Sequence, residues 1–186
     1  MPYFLEIDDI HENLFILQNL CFASQSFCKN TRTGRYAGDE ESAAWDHYFG
    51  WLKSIVSNRL ITCAVKMRLL EDILRRHAED TNLACLEEEA TAGLVFAKFP
   101  GDVPGASLRE ACNKIIHATE VSLTWKRLRG EKDLEFWTGI VLLEGDKRGN
   151  QWKVVLYVNE FCTALDRLLS ALEESVDWYH LYKHDS

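Results

Sequence analysis

The longest helical pattern in the chain begins near Ser42 and ends near Ala78. Its apolar residues recur at intervals of three and four, the spacing that places them on one side of an α-helix. A helix of this length needs other elements to cover its apolar side, so the pattern predicts a helical bundle with this helix at its centre. The apolar residues are Trp45, Phe49, Leu52, Val56, Leu60, Cys63, Met67, Leu70 and Leu74.

Shorter helical patterns precede and follow the central one. The first, residues 8–29, is apolar almost all round, which indicates burial on more than one side or a subunit interface. Residues 82–90 and 160–182 also have helical spacing. Glycines and prolines interrupt residues 31–38 and 93–105, so both are predicted connections, and the longer one is of the kind that can cover a site.

A different period begins after residue 119. Val121, Leu123 and Trp125 alternate with polar residues, as in a half-buried strand. Residues 135–144 and 151–158 are two more predicted strands, the last with Trp152, Val154, Leu156 and Val158 on one face. A polar, glycine-bearing loop joins the last two strands and predicts a hairpin. The predicted fold class is therefore mainly α, a helical bundle with a small three-stranded antiparallel sheet inserted before the C-terminal helix.

The length of 186 residues suits one domain, with residues 119–158 as a β insertion. The net charge of −8 argues against coating nucleic acid or an anionic membrane by bulk electrostatics, but leaves room for a local basic groove. The densest basic run is Lys126, Arg127, Arg129 and Lys132.

The six cysteines have no CxxC spacing and fall mostly on apolar stripes. We expect reduced core thiols and hence a cytoplasmic protein. Zinc is not expected, because His and Cys never cluster at ligand spacing. No apolar run is long enough for a membrane span, and the acidic N-terminal stretch does not have the pattern of a secretory signal.

The stretch from Ser107 to Ala118, SLREACNKIIHA, is the best candidate for a functional site. Ser107 and Glu110 have the spacing of a capping box, which marks the start of a helix. An apolar stripe follows, made of Leu108, Ala111, Cys112, Ile115 and Ile116.

A polar edge lies beside that stripe. Arg109, Asn113 and His117 follow one another at intervals of four, so they stack along the helix. They supply a fixed positive charge, a hydrogen-bonding amide and an imidazole, the groups needed to bind a phosphate and move a proton beside it. The same residues also suit a structural helix, since a histidine in the last turn is favoured by the helix dipole alone.

CNKIIHA at the end of a helix, within a helical domain of this size, resembles the HEPN superfamily of small prokaryotic helical proteins. Its usual motif is an arginine, often followed by asparagine, with a histidine a few residues later. Asn113 and His117 match the asparagine and histidine, while Cys112 stands at the position of the arginine. Arg109, one helical turn earlier, is expected to bring a guanidinium to the same place.

The resemblance implies a single HEPN-like domain over residues 1–186. It also implies a metal-independent endoribonuclease, or an RNA- or nucleotide-phosphate-binding protein, of a defence or toxin–antitoxin type. His117, Arg109 and Asn113 would be catalytic, and we add Lys114, Lys126 and Arg127 as phosphate- or RNA-binding residues. No metal or other cofactor is expected. The partners implied are a second copy, RNA or a nucleotide, and a cognate antitoxin or regulatory protein.

Two other classes of protein compete with this one. A non-catalytic, homodimeric interaction or scaffold protein would use the apolar first helix and the aromatic hairpin as its interface and would carry a degenerate motif. A hydrolase or transferase with a thiol nucleophile would have to use Cys112, but this cysteine lies on the apolar stripe, where an inert buried thiol is expected.

Overall fold

The computed structural model describes residues 7–32, 39–77, 82–99, 107–131 and 134–178. Within those residues it has five helices and four strands. In chain order they are α1 (Ile7–Thr31), α2 (Asp39–His77), α3 (Leu83–Thr91), β1 (Ala97–Lys98), α4 (Leu108–Ile116), β2 (Glu120–Arg127), β3 (Glu135–Lys147), β4 (Asn150–Tyr157) and α5 (Val158–Ser175).

The long helix α2 has the central position that its apolar stripe predicts. Every residue of the stripe except Phe49 is buried. α1 packs antiparallel to α2, as three side-chain contacts show: Asp9 with Lys66, Asn13 with Arg59, and Ser24 with Tyr48. The predicted helical bundle is confirmed.

α1 buries only one of its apolar sides. Ile10, Leu14 and Leu17 are in the core, whereas Phe15 and Phe22 are 65% and 69% exposed. The described part of the chain therefore does not cover the second apolar side.

The sheet contains the three predicted antiparallel strands and one further strand. The order is β1-β4-β3-β2, and β1 adds to the edge of β4, with Ala97 opposite Leu156. The sequence pattern predicts a connection where β1 lies. A strand of two residues beside prolines and glycines shows no alternation that could reveal it, and β1 is a strand only because it pairs with β4. Residues 100–105 of that connection, and most of the predicted loop at 31–38, lie outside the described residues.

Two irregularities shape β3. Thr138, Gly139 and Ile140 together face the single residue Thr124 of β2. Gly139 has a positive φ of 76°, and a Cβ added there would lie 3.4 Å from Cys21 Sγ. A two-residue turn, Arg148-Gly149, with positive φ at both positions, joins β3 to β4. The turn sets the register that places Gly145 opposite Trp152.

α5 closes the fold on the same core as the sheet. Its buried side contains Phe161, Cys162, Leu165, Leu168, Leu169 and Leu172. The helix ends at Ser175, earlier than the predicted residue 182, because Val176 adopts an extended backbone while remaining buried. Residues 179–182 lie outside the described part of the chain.

All six cysteines are free, and only Cys85 is exposed. Among the described helices, none has the combination of length and apolar character that crossing a bilayer requires.

We predict opposite effects for the same substitution at two glycines. An added Cβ at Gly145 would lie 2.6 Å from Trp152 Cε2 and 3.0 Å from the His117 carbonyl oxygen, so Gly145→Ala should lower the free energy of unfolding by about 1–3 kcal/mol. Gly50, inside α2, has nothing within 4 Å of such a Cβ, so Gly50→Ala should raise it by about 0.5–1 kcal/mol. Urea denaturation measures both, and equal effects would contradict the packing described at Gly145.

Candidate functional site

Two side chains fix the start of α4. The Ser107 side chain accepts a hydrogen bond from the Glu110 backbone N–H at 3.1 Å, which confirms the predicted N-cap. Glu87, on α3, accepts from the Leu108 N–H at 2.5 Å. A neighbouring helix therefore holds the first turn in place.

α4 buries the stripe that its sequence predicts. Leu108, Ala111, Cys112 and Ile115 are in the core, and Ile116 is partly buried. Burial raises the pKa of Cys112 far above that of an ordinary thiol, so the sulfur stays protonated at neutral pH. A protonated, inaccessible thiol has no role as a nucleophile.

The polar edge of α4 lines a cleft of about 780 Å³. The cleft lies between α4, the C-terminal third of α2 and the β3–β4 hairpin. Four basic and two acidic side chains, with His117, Asn113 and Trp152, make up its described wall. These residues are Arg68, Arg109, Glu110, Asn113, Lys114, His117, Asp146, Lys147 and Trp152.

Arg109 is bound by two carboxylates of α2. Its Nη1 donates to Glu71 Oε2 at 2.5 Å and its Nη2 donates to Asp72 Oδ1 at 2.9 Å. Burial raises the pKa of Glu71, against the opposing effect of Arg109, while the hydrogen bond from Arg109 lowers the pKa of Asp72. Two carboxylates of α2 thus neutralise the positive charge of the guanidinium predicted to be catalytic, and this contact joins α4 to α2.

Arg68, on α2, takes a position that the sequence did not predict. Its Nη1 donates to Asn113 Oδ1 at 2.6 Å, and its Nη2 lies 3.8 Å from Asp72 Oδ2. Its Nε is buried and has no hydrogen-bond partner among the described residues. Arg68 is therefore less fully compensated than Arg109.

The Arg68 contact orients the Asn113 amide. A guanidinium has donors only, so the amide must turn its oxygen toward Arg68 and its NH₂ group away. Asn113 is partly buried and lines the cleft, and no side chain or backbone group of the described segments is bonded to its Nδ2 there. A ligand at this point must offer an acceptor.

His117 caps the C-terminal end of α4. Its backbone N–H donates to the Asn113 carbonyl at 3.0 Å, and the residue is exposed at the mouth of the cleft. Asn113 and His117 are one turn apart, as predicted, and both line the cleft.

The hairpin supplies the opposite wall. Lys114 Nζ lies 4.2 Å from the centre of the Trp152 ring, a cation–π contact that places the ammonium at the cleft. Lys147 and Asp146 come from the end of β3. Trp152 and Lys147 belong to the β insertion, so that insertion helps to build the site.

Lys126 and Arg127 are not part of this cleft. They lie at the C-terminal end of β2, whereas Glu120, at the other end, pairs with Glu144 near the cleft. Six residues or more separate the two ends, a distance of about 20 Å along a strand. Arg127 Nε lies 3.6 Å from Glu135. Their role in binding phosphate stays a prediction separate from the cleft, and Lys132 lies outside the described residues.

The side chains of the described segments include no group of three His, Cys, Asp or Glu residues arranged to hold a metal ion. The chain matches no protein-family model, no curated protein and no solved structure.

We predict that Arg109→Met destabilises the fold by about 3 kcal/mol at neutral pH, because it leaves the Glu71 carboxylate buried without its partner. Loss of the guanidinium raises the pKa of Glu71 further, so the folded variant binds a proton more tightly than the unfolded chain does. Its stability should then rise as the pH falls into the acid range. Urea denaturation at neutral and mildly acidic pH measures this.

The double variant Glu71→Gln/Arg109→Met serves as the control. It removes the buried charge together with its partner, so it should recover most of the lost stability and lose the pH response. A loss that is equal in the single and double variants would mean that Arg109 stabilises the fold through its packing alone.

Proposed function

We propose that the cleft binds a phosphate group of RNA or of a nucleotide, and that the protein is a HEPN-like, metal-independent endoribonuclease. The observation that carries this proposal is the hydrogen bond from Arg68 to Asn113, one helical turn from His117. It brings a guanidinium, an amide donor and an imidazole to one cleft.

Arg68 supplies the guanidinium that the family motif would place at the position of Cys112. The motif places its arginine next to the asparagine on the same helix, where this chain has a buried thiol. Arg68 brings a guanidinium to the same asparagine from α2. Arg109, the sequence-based candidate for this role, is held by Glu71 and Asp72, so we assign it to positioning α4.

The proposed chemistry needs only these groups and water. His117 accepts the proton of a ribose 2′-hydroxyl, and the 2′ oxygen forms a bond to the adjacent phosphorus. The bond from phosphorus to the 5′ oxygen breaks, that oxygen takes up a proton from water, and the hydroxide that remains removes the proton from His117, which restores the neutral imidazole. Arg68 and the Asn113 NH₂ group stabilise the negative charge that builds up on the non-bridging oxygens.

Lys114 and Lys147 extend the phosphate site toward the hairpin. Lys114 stays at the cleft through its contact with Trp152, which limits the conformational freedom it would lose on binding. Contacts of this kind predict binding that weakens as salt concentration rises, because each phosphate contact releases counterions from the RNA.

A second candidate function is a non-catalytic interaction protein with a degenerate motif. Two observations favour it: Arg109 is compensated by two carboxylates, and several large apolar side chains of α1 and α2 are exposed. These side chains are Phe15, Phe22, Phe27, Trp51, Ile55, Ile61 and Val65.

Cleavage of RNA in the presence of a metal chelator tests the enzyme proposal. We expect His117→Ala and Arg68→Ala each to lower the rate by about 100-fold or more, since each removes a group that acts in the transition state. His47→Ala, an exposed histidine on α2 away from the cleft, should leave the rate unchanged and is the matched control. Absence of cleavage by the unaltered protein, or an unchanged rate in His117→Ala, would contradict catalysis and favour the second candidate.

Binding is tested separately with Asn113→Asp. Aspartate still accepts the hydrogen bond of Arg68, so the fold should be kept, but it replaces the NH₂ donor with a negative charge. We expect affinity for a fluorescently labelled RNA to fall by about tenfold or more at low salt. Fluorescence anisotropy measures this, and circular dichroism checks the fold. Unchanged affinity would mean that phosphate does not bind at Asn113.

A further inference from the structure

β2 forms one edge of the four-stranded sheet, and within the described residues its outer side has no strand partner. The Leu128 N–H donates to the Leu134 carbonyl, and the Thr124 carbonyl accepts from Thr138, so the even-numbered residues turn their backbone groups toward β3. The bulge opposite Thr124 lies on β3 and does not disturb the alternation of β2.

The odd-numbered residues must therefore turn their backbone groups away from β3. These are Val121, Leu123, Trp125 and Arg127. No strand of the described segments pairs with that side. An edge strand of eight residues without proline, left unpaired by the described strands, is a template for another strand.

The order of residues along β2 is complementary to itself. In an antiparallel pair, residues opposite each other either both face their partner or both face away, so odd residues must lie opposite odd ones. With Leu123 on the two-fold axis, Glu120 of each copy lies opposite Lys126 of the other. The adjacent register, with Thr124 on the axis, places Lys126 opposite Ser122 and has no such charge pair.

The same register also matches the two faces of the strand. Glu120 and Lys126 are exposed, so their pairing needs no rearrangement of the core. On the other face Val121 lies opposite Trp125, and Leu123 lies opposite itself. Trp125 packs on Trp45 at 4.6 Å between ring centres, so this face adjoins the hydrophobic core.

We infer that two copies of this chain pair through β2, antiparallel and with Leu123 on the two-fold axis, to form one continuous sheet with four strands from each copy. This interface is independent of the proposed ribonuclease activity. It places the two Glu120 ends, and hence the two clefts, at opposite ends of the paired strands, about 20 Å apart along the strand. The two clefts would therefore lie apart and would not face each other.

Exchange of charges on the full chain tests the register. Glu120→Lys and Lys126→Glu each place like charges opposite one another at both ends of the pair, so each should raise the dimer dissociation constant by about tenfold or more. An equimolar mixture of the two variants restores opposite charges at both ends and should recover the dimer. Glu174→Lys, an equal change of charge on an exposed position of α5, should have no effect. Sedimentation velocity over a range of concentrations measures all four.

Amide hydrogen exchange followed by NMR gives a second measurement. The amides of Val121, Leu123 and Trp125 should become protected as concentration rises, whereas that of Lys126, which faces β3, should be protected throughout. A monomer at every concentration, a dimer that does not respond to Glu120→Lys, or a mixture that fails to recover would overturn the inference.

Discussion

The ion pairs of Arg109 with Glu71 and Asp72 hold α4 against α2, and the arrangement of the cleft depends on them. Glu71 is 2% exposed, so a carboxylate in this position needs a cation. Because Arg109 enters from α4 at this point, the next turn of α4 brings Asn113 beside Arg68. The contact that compensates a buried charge thus also sets the geometry of the site.

The two arginines that line the cleft have different surroundings. Arg109 donates hydrogen bonds to two carboxylates of α2 and so joins α4 to α2. Arg68 lies 3.8 Å from one carboxylate and donates a hydrogen bond to the Asn113 amide oxygen. Because Arg68 occupies the Asn113 oxygen, the amide must offer its NH₂ group to a ligand. Together with Lys114, held on Trp152, this makes part of the cleft wall rich in hydrogen-bond donors, in a chain whose overall charge is negative.

Sequence periodicity predicted most of the fold because it reflects burial. The α2 stripe, the α4 stripe and the three longer strands each place apolar residues at the spacing of their own secondary structure, and the structure confirms them. β1 and the early end of α5 were not predictable in this way. A two-residue strand has no period of its own, and Val176 continues the apolar pattern of α5 after its backbone has become extended.

For the site, the sequence by itself determined the N-cap at Ser107, the buried side of α4, and the alignment of Arg109, Asn113 and His117 along one edge. These follow from local hydrogen bonding and from the 3.6-residue turn. Only the tertiary structure decided that Arg109 is compensated by α2, that Arg68 binds Asn113, and that Trp152 and Lys147 complete the wall. Arg68 lies 45 residues from Asn113 in the chain. No local pattern reports which side chains meet when two helices and a hairpin pack together, because that depends on the packing of the whole core.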